Sequence, residues 1–258
     1  MSVLDNLRTR FHLLRIALGR RFIYPHVVEM AKNYGLEYRD LCADTHPFEF
    51  VRRIVGKDGS LVSRLDFAQR IEPAEKFTPP DAPGAFNSEV SVARFLGELV
   101  FYKDARTVVE LGCFVGWTTA HMALAIEARG GVGRLFALDY QQEYLEIMRS
   151  NLRRQGGIDR LVTPLRGFSL DSSVLAALPQ QIDVLFIDTA HGYPETRTEI
   201  LTYSPRLAPG GCIVLHDSTS AAGVRRSVNE LAERFDTLTF ATERSNGVTV
   251  LMSRSSPA

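Results

Sequence analysis

Two short segments carry the side chains best suited to chemistry. Asp188-Thr189-Ala190-His191-Gly192-Tyr193 and His216-Asp217 each close an apolar run, and together they supply two acids and two histidines. Such groups can act on a hydroxyl in two ways. A histidine, which titrates near neutrality, can take the proton. Alternatively, carboxylate oxygens can hold a hard divalent cation that coordinates the oxygen and keeps positions open for water and substrate. Either way the two segments must meet. They do so if the runs Ile182 to Asp188 and Cys212 to His216 are adjacent strands of one parallel sheet, whose carboxyl ends face a common crevice.

A second feature lies upstream. The run Thr107 to Leu111 leads directly into Glu110-Leu111-Gly112-Cys113-Phe114-Val115-Gly116-Trp117, where Gly112 and Gly116 permit a sharp turn and close approach to a ligand. A dinucleotide loop would need glycines spaced G-x-G-x-x-G, and Cys113 and Phe114 occupy the tight positions, so that match fails. Taken singly, each residue here has a plain structural role open to it. The glycines serve a tight turn, Asp139 a helix cap, Glu110 a satisfied buried carboxylate, and His191 a capped loop before Pro194.

The elements that must position these groups are legible as alternation. After Thr107 to Leu111 comes a helix from Trp117, then a run Leu135 to Leu138 ending in Asp139. A helix over about Gln141 to Gln155 follows, with Leu145, Met148 and Leu152 on one face and Gly156 and Gly157 at its end. Runs at Leu161 to Leu165, Ile182 to Asp188 and Cys212 to His216 read as strands buried on both faces. Between the last two, Ile200, Tyr203 and Leu207 keep helical spacing up to Pro209. Val224, Val228, Leu231 and Phe235 mark a later helix, and Thr237 to Thr242 and Gly247 to Met252 are closing strands. Upstream, Val92, Phe95, Leu96, Leu99 and Val100 form a helical stripe with Asn87 and Ser88 as caps. The expected fold is α/β, a doubly wound, mostly parallel seven-stranded sheet of Rossmann-like type. Residues 87–258 form this domain. Residues 1–86 form a helical extension with little strand character, ending in a Pro-rich loop, and serve as lid or oligomer contact.

The glycine loop resembles the E-x-G-x-x-x-G motif of class I S-adenosylmethionine-dependent methyltransferases. The resemblance extends over Thr107 to Arg254 and implies a cofactor site made of Glu110, Gly112, Cys113, Gly116, Asp139, Phe168, Ser169 and Asp188. In it Asp139 accepts from the ribose hydroxyls, a task suited to paired acceptors, and Gly167-Phe168-Ser169 meets the adenine. The segments at the crevice resemble those of metal-dependent sugar and natural-product O-methyltransferases, the macrocin, mycinamicin and cephalosporin-biosynthesis type. This implies Asp188, His216 and Asp217 as ligands of Mg2+ or another divalent cation, with His216 standing where those relatives carry an acid. It also implies His191 as general base. The expected activity is O-methylation of a sugar or other secondary metabolite. The alternatives are a metal-independent methyltransferase with a histidine base, acting on nitrogen, a lipid or a phenol, and a protein of this fold that binds the cofactor without methyl transfer.

Composition narrows the partners. Thirty basic and thirty acidic residues cancel, so no long-range field draws in nucleic acid, and a small-molecule acceptor is expected. Cys42, Cys113 and Cys212 are too few and too scattered for a disulfide framework or metal cluster, which fits a cytoplasmic protein. Near the N-terminus, Leu4, Leu7, Phe11 and Leu14 are interrupted by Asp5, Arg8, Arg10 and Arg15. They read as an amphipathic helix that packs on its own domain, or lies on a second subunit of a homo-oligomer or on a membrane surface, with no signal peptide and no integral membrane segment.

Overall fold

A computed structural model describes residues 71–79, 87–242, 244 and 246–253, together with the backbone of 38–40. The amphipathic N-terminal segment and Cys42 lie outside the described residues.

One sheet organises the molecule. Its strands are β1 (Tyr38–Asp40), β2 (Thr107–Leu111), β3 (Arg134–Asp139), β4 (Val162–Arg166), β5 (Ile182–Ile187), β6 (Leu207–His216), β7 (Phe235–Ala241) and β8 (Val248–Ser253). They lie in the order β1-β7-β8-β6-β5-β2-β3-β4. β8 runs antiparallel to both β6 and β7, and every other pairing is parallel. The seven expected strands are all present. The eighth, Tyr38–Asp40, is a three-residue edge strand inside the segment expected to be helical, and it adds to β7 through backbone pairing that no side-chain pattern announces.

Parallel strands covered on both faces need apolar side chains on both faces, and successive residues deliver them. Val184 and Phe186 of β5 enter one core while Leu185 and Ile187 enter the other, and Cys212/Val214 and Ile213/Leu215 of β6 divide the same way. The first core is covered by α1 (Val90–Tyr102), α2 (Trp117–Ala128) and α3 (Gln142–Arg154). The second is covered by α4 (Ser172–Ala177), α5 (Tyr193–Tyr203) and α6 (Ala222–Leu231). α2 is buried from Trp117 to Ile126 without a polar face, because α1 packs over it from outside.

Three boundaries differ from expectation for physical reasons. α5 stops at Tyr203, and after a short 3-10 turn Leu207 begins β6 instead of extending the helix. Phe235 likewise opens β7. The residue capping α1 is Glu89, not Asn87 or Ser88. The Asn87 amide instead donates to the carbonyls of Ala74 and Phe77 (3.0 and 2.8 Å), tying the Pro-rich segment to the domain. Among the described residues, no helix is long and apolar enough to cross a membrane.

Candidate active site

The carboxyl ends of β2, β3, β4 and β5 surround a cavity of about 530 Å³, within the range of small-molecule sites. Gly112 shapes its floor. Its φ is +88°, and a Cβ there would overlap the Asp188 carbonyl, so only glycine lets the loop after β2 lie against the loop after β5. The Gly112 and Cys113 N–H groups both donate to the Leu138 carbonyl at 2.9 Å, and the Asp188 N–H donates to the Leu111 carbonyl at 2.9 Å, which closes the strand ends together.

Asp139 lines one side of the cavity. Its Oδ2 accepts from the Phe114 N–H (3.1 Å) and its Oδ1 from the Gln141 N–H (2.9 Å). Burial raises its pKa above the usual carboxylate value, although those backbone donors favour the charged form. The carboxylate offers further lone pairs to a ligand hydroxyl. Beside it, Tyr140 and Phe168 are exposed and stacked, with ring centroids 5.4 Å apart and planes within 9°. Phe168, Ser169 and Asp188 also line the cavity.

Glu110, Cys113 and Gly116 have a different part from the one expected. The Glu110 carboxylate is fully buried beneath the loop, where it accepts from the Thr118 hydroxyl and, at 2.5 Å, from that of Thr119. Burial lifts its pKa to about 7. The Cys113 thiol is buried, and Met148 covers Gly116, whose φ of +86° opens α2. These three shape the loop and do not line the cavity.

Asp188 joins the cavity to the second cluster. Its Oδ1 accepts from His191 Nε2 (3.1 Å) and His216 Nδ1 (3.2 Å), and its Oδ2 from the Ser88 hydroxyl (3.1 Å). Burial acts against its charge, but His216 and His191 outweigh this and hold the carboxyl well below the usual range. His191 Nε2 also lies 3.3 Å from Asp217 Oδ2, and Asp217 Oδ1 accepts from the Ser220 hydroxyl at 2.8 Å. Burial opposes a proton on His191, yet Asp188 and Asp217 prevail and its pKa is raised. Both His191 and Asp217 adopt left-handed backbone conformations, with φ of 60° and 55°. Such strain in residues other than glycine concentrates where geometry serves a function.

His216 has a role that its place in the sequence does not reveal. Its Nε2 donates to Glu89 Oε2 at 2.8 Å while Nδ1 serves Asp188, so both nitrogens are committed to carboxylates. Burial disfavours its charge, but Asp188 and Glu89 more than reverse that and raise its pKa well above that of a free histidine. Burial likewise pushes Glu89 up, and the His216 hydrogen bond and charge bring it below its ordinary value. Thr242 Oγ1 donates to the other Glu89 oxygen at 2.6 Å. His216 is therefore an imidazolium clamped between two acids, with no lone pair for a metal. Among the described residues, the donors that do converge, all within 4.8 Å of one another, belong to Asp188, His191 and Asp217.

Sequence reasoning missed Ser88, Glu89 and Glu199. Ser88 precedes α1 and reads from sequence as a helix cap, and Glu89 beside it carries no pattern that marks it. Glu199, on α5, lines the cavity and accepts from the Ser169 and Thr189 hydroxyls. Its only signal in the sequence is an acid on the buried side of a helix that otherwise looks ordinary.

A seven-strand core ordered β7-β8-β6-β5-β2-β3-β4 with β8 reversed, a glycine turn after its central strand and an acid ending the next is the arrangement of the class I methyltransferase fold. Residues 109–218 match the family described as a methyltransferase domain. Catechol O-methyltransferase of Mycobacterium tuberculosis (strain ATCC 25618 / H37Rv) is 33% identical over 131 residues, 50% of this chain and 56% of that protein. O-methyltransferase hkm8 of Aspergillus hancockii is 30% identical over 114 residues, 44% of this chain and 43% of that protein. The chain thus spans about half the length of the curated relatives it matches. Among solved structures, the O-methyltransferase TomG from Streptomyces achromogenes, determined with S-adenosylmethionine, superposes with a TM-score of 0.57 at 20% identity, covering 76% of this chain and 93% of that one. Residues 109–218 thus match a methyltransferase domain, carried on the fold that TomG also has.

Proposed function

We propose that this protein transfers a methyl group from S-adenosylmethionine to a hydroxyl of a small molecule, a sugar or other secondary metabolite, with His191 as general base. The observation that carries the reading is the position of Asp188. It lines the cavity that would hold the cofactor and also accepts from His191, which ties the proposed base to the cavity wall. The printed names of the two curated relatives support oxygen as the acceptor atom.

The residues fit the cofactor by their chemistry. Asp139 supplies acceptors for two ribose hydroxyls, and among the described residues the cavity lining carries carboxylates and no lysine, arginine or histidine, which suits a sulfonium cation. Transfer is a single displacement in which the acceptor oxygen forms a bond to the methyl carbon. The carbon–sulfur bond breaks, and its electron pair stays on sulfur as the thioether. The hydroxyl proton goes to His191. With Nε2 turned to Asp188 and Asp217, the nitrogen open for that proton is Nδ1, which has no hydrogen-bond partner among the described residues. The two carboxylates fix the ring and stabilise the imidazolium that forms.

A second reading uses the same three side chains. Two carboxylates and an imidazole within 4.8 Å fit a divalent cation, which would be held by Asp188, His191 and Asp217 and would acidify the acceptor hydroxyl. This set replaces the one expected with His216. We place the protein in the cytoplasm, which the free thiols of Cys113 and Cys212 support.

Calorimetric titration with S-adenosylhomocysteine, with and without Mg2+ or Mn2+, tests both readings. Micromolar binding that Asp139→Ala abolishes supports the cofactor site. Methyl transfer that survives EDTA but not His191→Ala assigns the base reading, and loss in EDTA restored by Mn2+ assigns the metal. No binding under any condition overturns the methyltransferase reading.

A further inference from the structure

We propose that Glu199 sets the hydrogen-bonding polarity of the cavity wall and so makes the site select an amino-purine over its oxo counterpart. The inference rests on reading the cavity as an S-adenosylmethionine site. Glu199 is 1% exposed and reaches from α5 to the point where the loops after β4 and β5 meet. Ser169 Oγ donates to its Oε1 at 2.5 Å and Thr189 Oγ1 to its Oε2 at 2.9 Å. All three residues line the cavity.

A hydroxyl carries one hydrogen and two lone pairs, and an ionised carboxylate has no hydrogen to return. With both hydrogens directed at Glu199, Ser169 and Thr189 present only lone pairs to whatever occupies the cavity. A ligand edge that meets them must therefore donate. Rotation of Ser169 to another arrangement would strand a buried carboxylate oxygen, and the Tyr203 hydroxyl, donating to the Ser169 carbonyl at 2.5 Å, fixes the loop that carries it. The adjoining Tyr140–Phe168 stack offers a flat apolar wall for a planar base, in sequence next to both Asp139 and Ser169. The exocyclic amino group of adenine donates to such a wall. The exocyclic carbonyl of hypoxanthine only accepts, so lone pairs would face lone pairs and the buried acceptors would go unpaired.

Glu199→Gln tests this because the amide can donate to one hydroxyl and free its hydrogen to face the ligand. The full chain is titrated with S-adenosylhomocysteine and with its deaminated analogue S-inosylhomocysteine, in mildly alkaline buffer where Glu199 is ionised. The wild type is expected to favour the adenosyl compound by roughly 100-fold, and Glu199→Gln to reduce that ratio to about 10-fold or less. Ser169→Ala, which removes one oriented oxygen and leaves Glu199 in place, is expected to lower the ratio as well, and thermal melts verify folding of each variant. A structural role alone would weaken both ligands together and leave the ratio unmoved. An unchanged ratio in both variants, or no preference in the wild type, overturns the assignment of Glu199. A wild type that binds neither compound overturns the cofactor reading beneath it.

Discussion

At the residue scale, Asp139, His191 and Glu89 are each held by a different balance of forces. Asp139 offers carboxylate lone pairs beyond those that the Phe114 and Gln141 N–H groups use. Asp139→Ala removes charge-assisted acceptors from a ligand that buries two hydroxyls, and affinity for S-adenosylhomocysteine should fall by about 100-fold or more in calorimetry. His191 lies beyond the carboxylate that lines the cavity. His191→Ala should therefore lower kcat by roughly 10²- to 10⁴-fold while leaving S-adenosylhomocysteine affinity within about threefold. Glu89→Ala strips the acid from the Nε2 side of the buried His216 and leaves Asp188 and the more distant Asp217 on its Nδ1 side; loss of one partner of a buried pair costs about 3–5 kcal/mol, read as a lower urea midpoint. Asp188, His191 and Asp217 were legible from their places after strands. Glu89 was not, because 127 residues separate it from His216 and no local pattern connects them.

At the scale of elements, loops held by helix packing aim the reacting groups. α6 presses Gly223 against the turn that carries His191, and a Cβ there would overlap the His191 carbonyl, the Gly192 carbonyl carbon and the Tyr193 nitrogen. Gly223→Ala should push that turn outward and reduce kcat by roughly 10- to 100-fold, since small displacements of a catalytic group carry penalties of that size. Cofactor affinity should change by less than about threefold, because the substitution lies away from the Asp139 side of the cavity. The position of α6 was legible from the spacing of Val224, Val228 and Leu231, all buried. Which glycine met which loop was not, since close approach is a property of two segments and is written in neither one. The same holds for β1, whose three residues pair with β7 by backbone alone.

At the scale of the whole molecule, two of the buried ionisable groups contribute opposing pH dependences of stability. Burial raises Glu110 to about 7 from an unfolded value of 4.5, so its contribution is complete at low pH and is lost as pH rises through about 7. Burial lowers His121 to about 4 from 6.5, and its neutral Nδ1–H donates to the Trp117 carbonyl at 3.0 Å. Its contribution is complete above 6.5 and is lost as pH falls through about 4. Each effect amounts to roughly 3 kcal/mol, and they oppose each other between about pH 4.5 and 6.5. In urea unfolding, the advantage of wild type over Glu110→Gln should shrink from about pH 5 to 7, and its advantage over His121→Gln should grow over the same interval. By itself the sequence determined the alternation of strands and helices, the glycine turn and the acids at strand ends, because burial on both faces of a parallel sheet and sharp turns leave marks in neighbouring residues. Tertiary structure alone decided that Glu110 lies beneath the loop, that His216 is clamped between Glu89 and Asp188, and that Glu199 faces the cavity. The pairings of His216 and Glu199 join groups far apart in sequence, and that of Glu110 depends on how α2 folds back over the glycine loop; only the packing of sheet against helices brings such groups together.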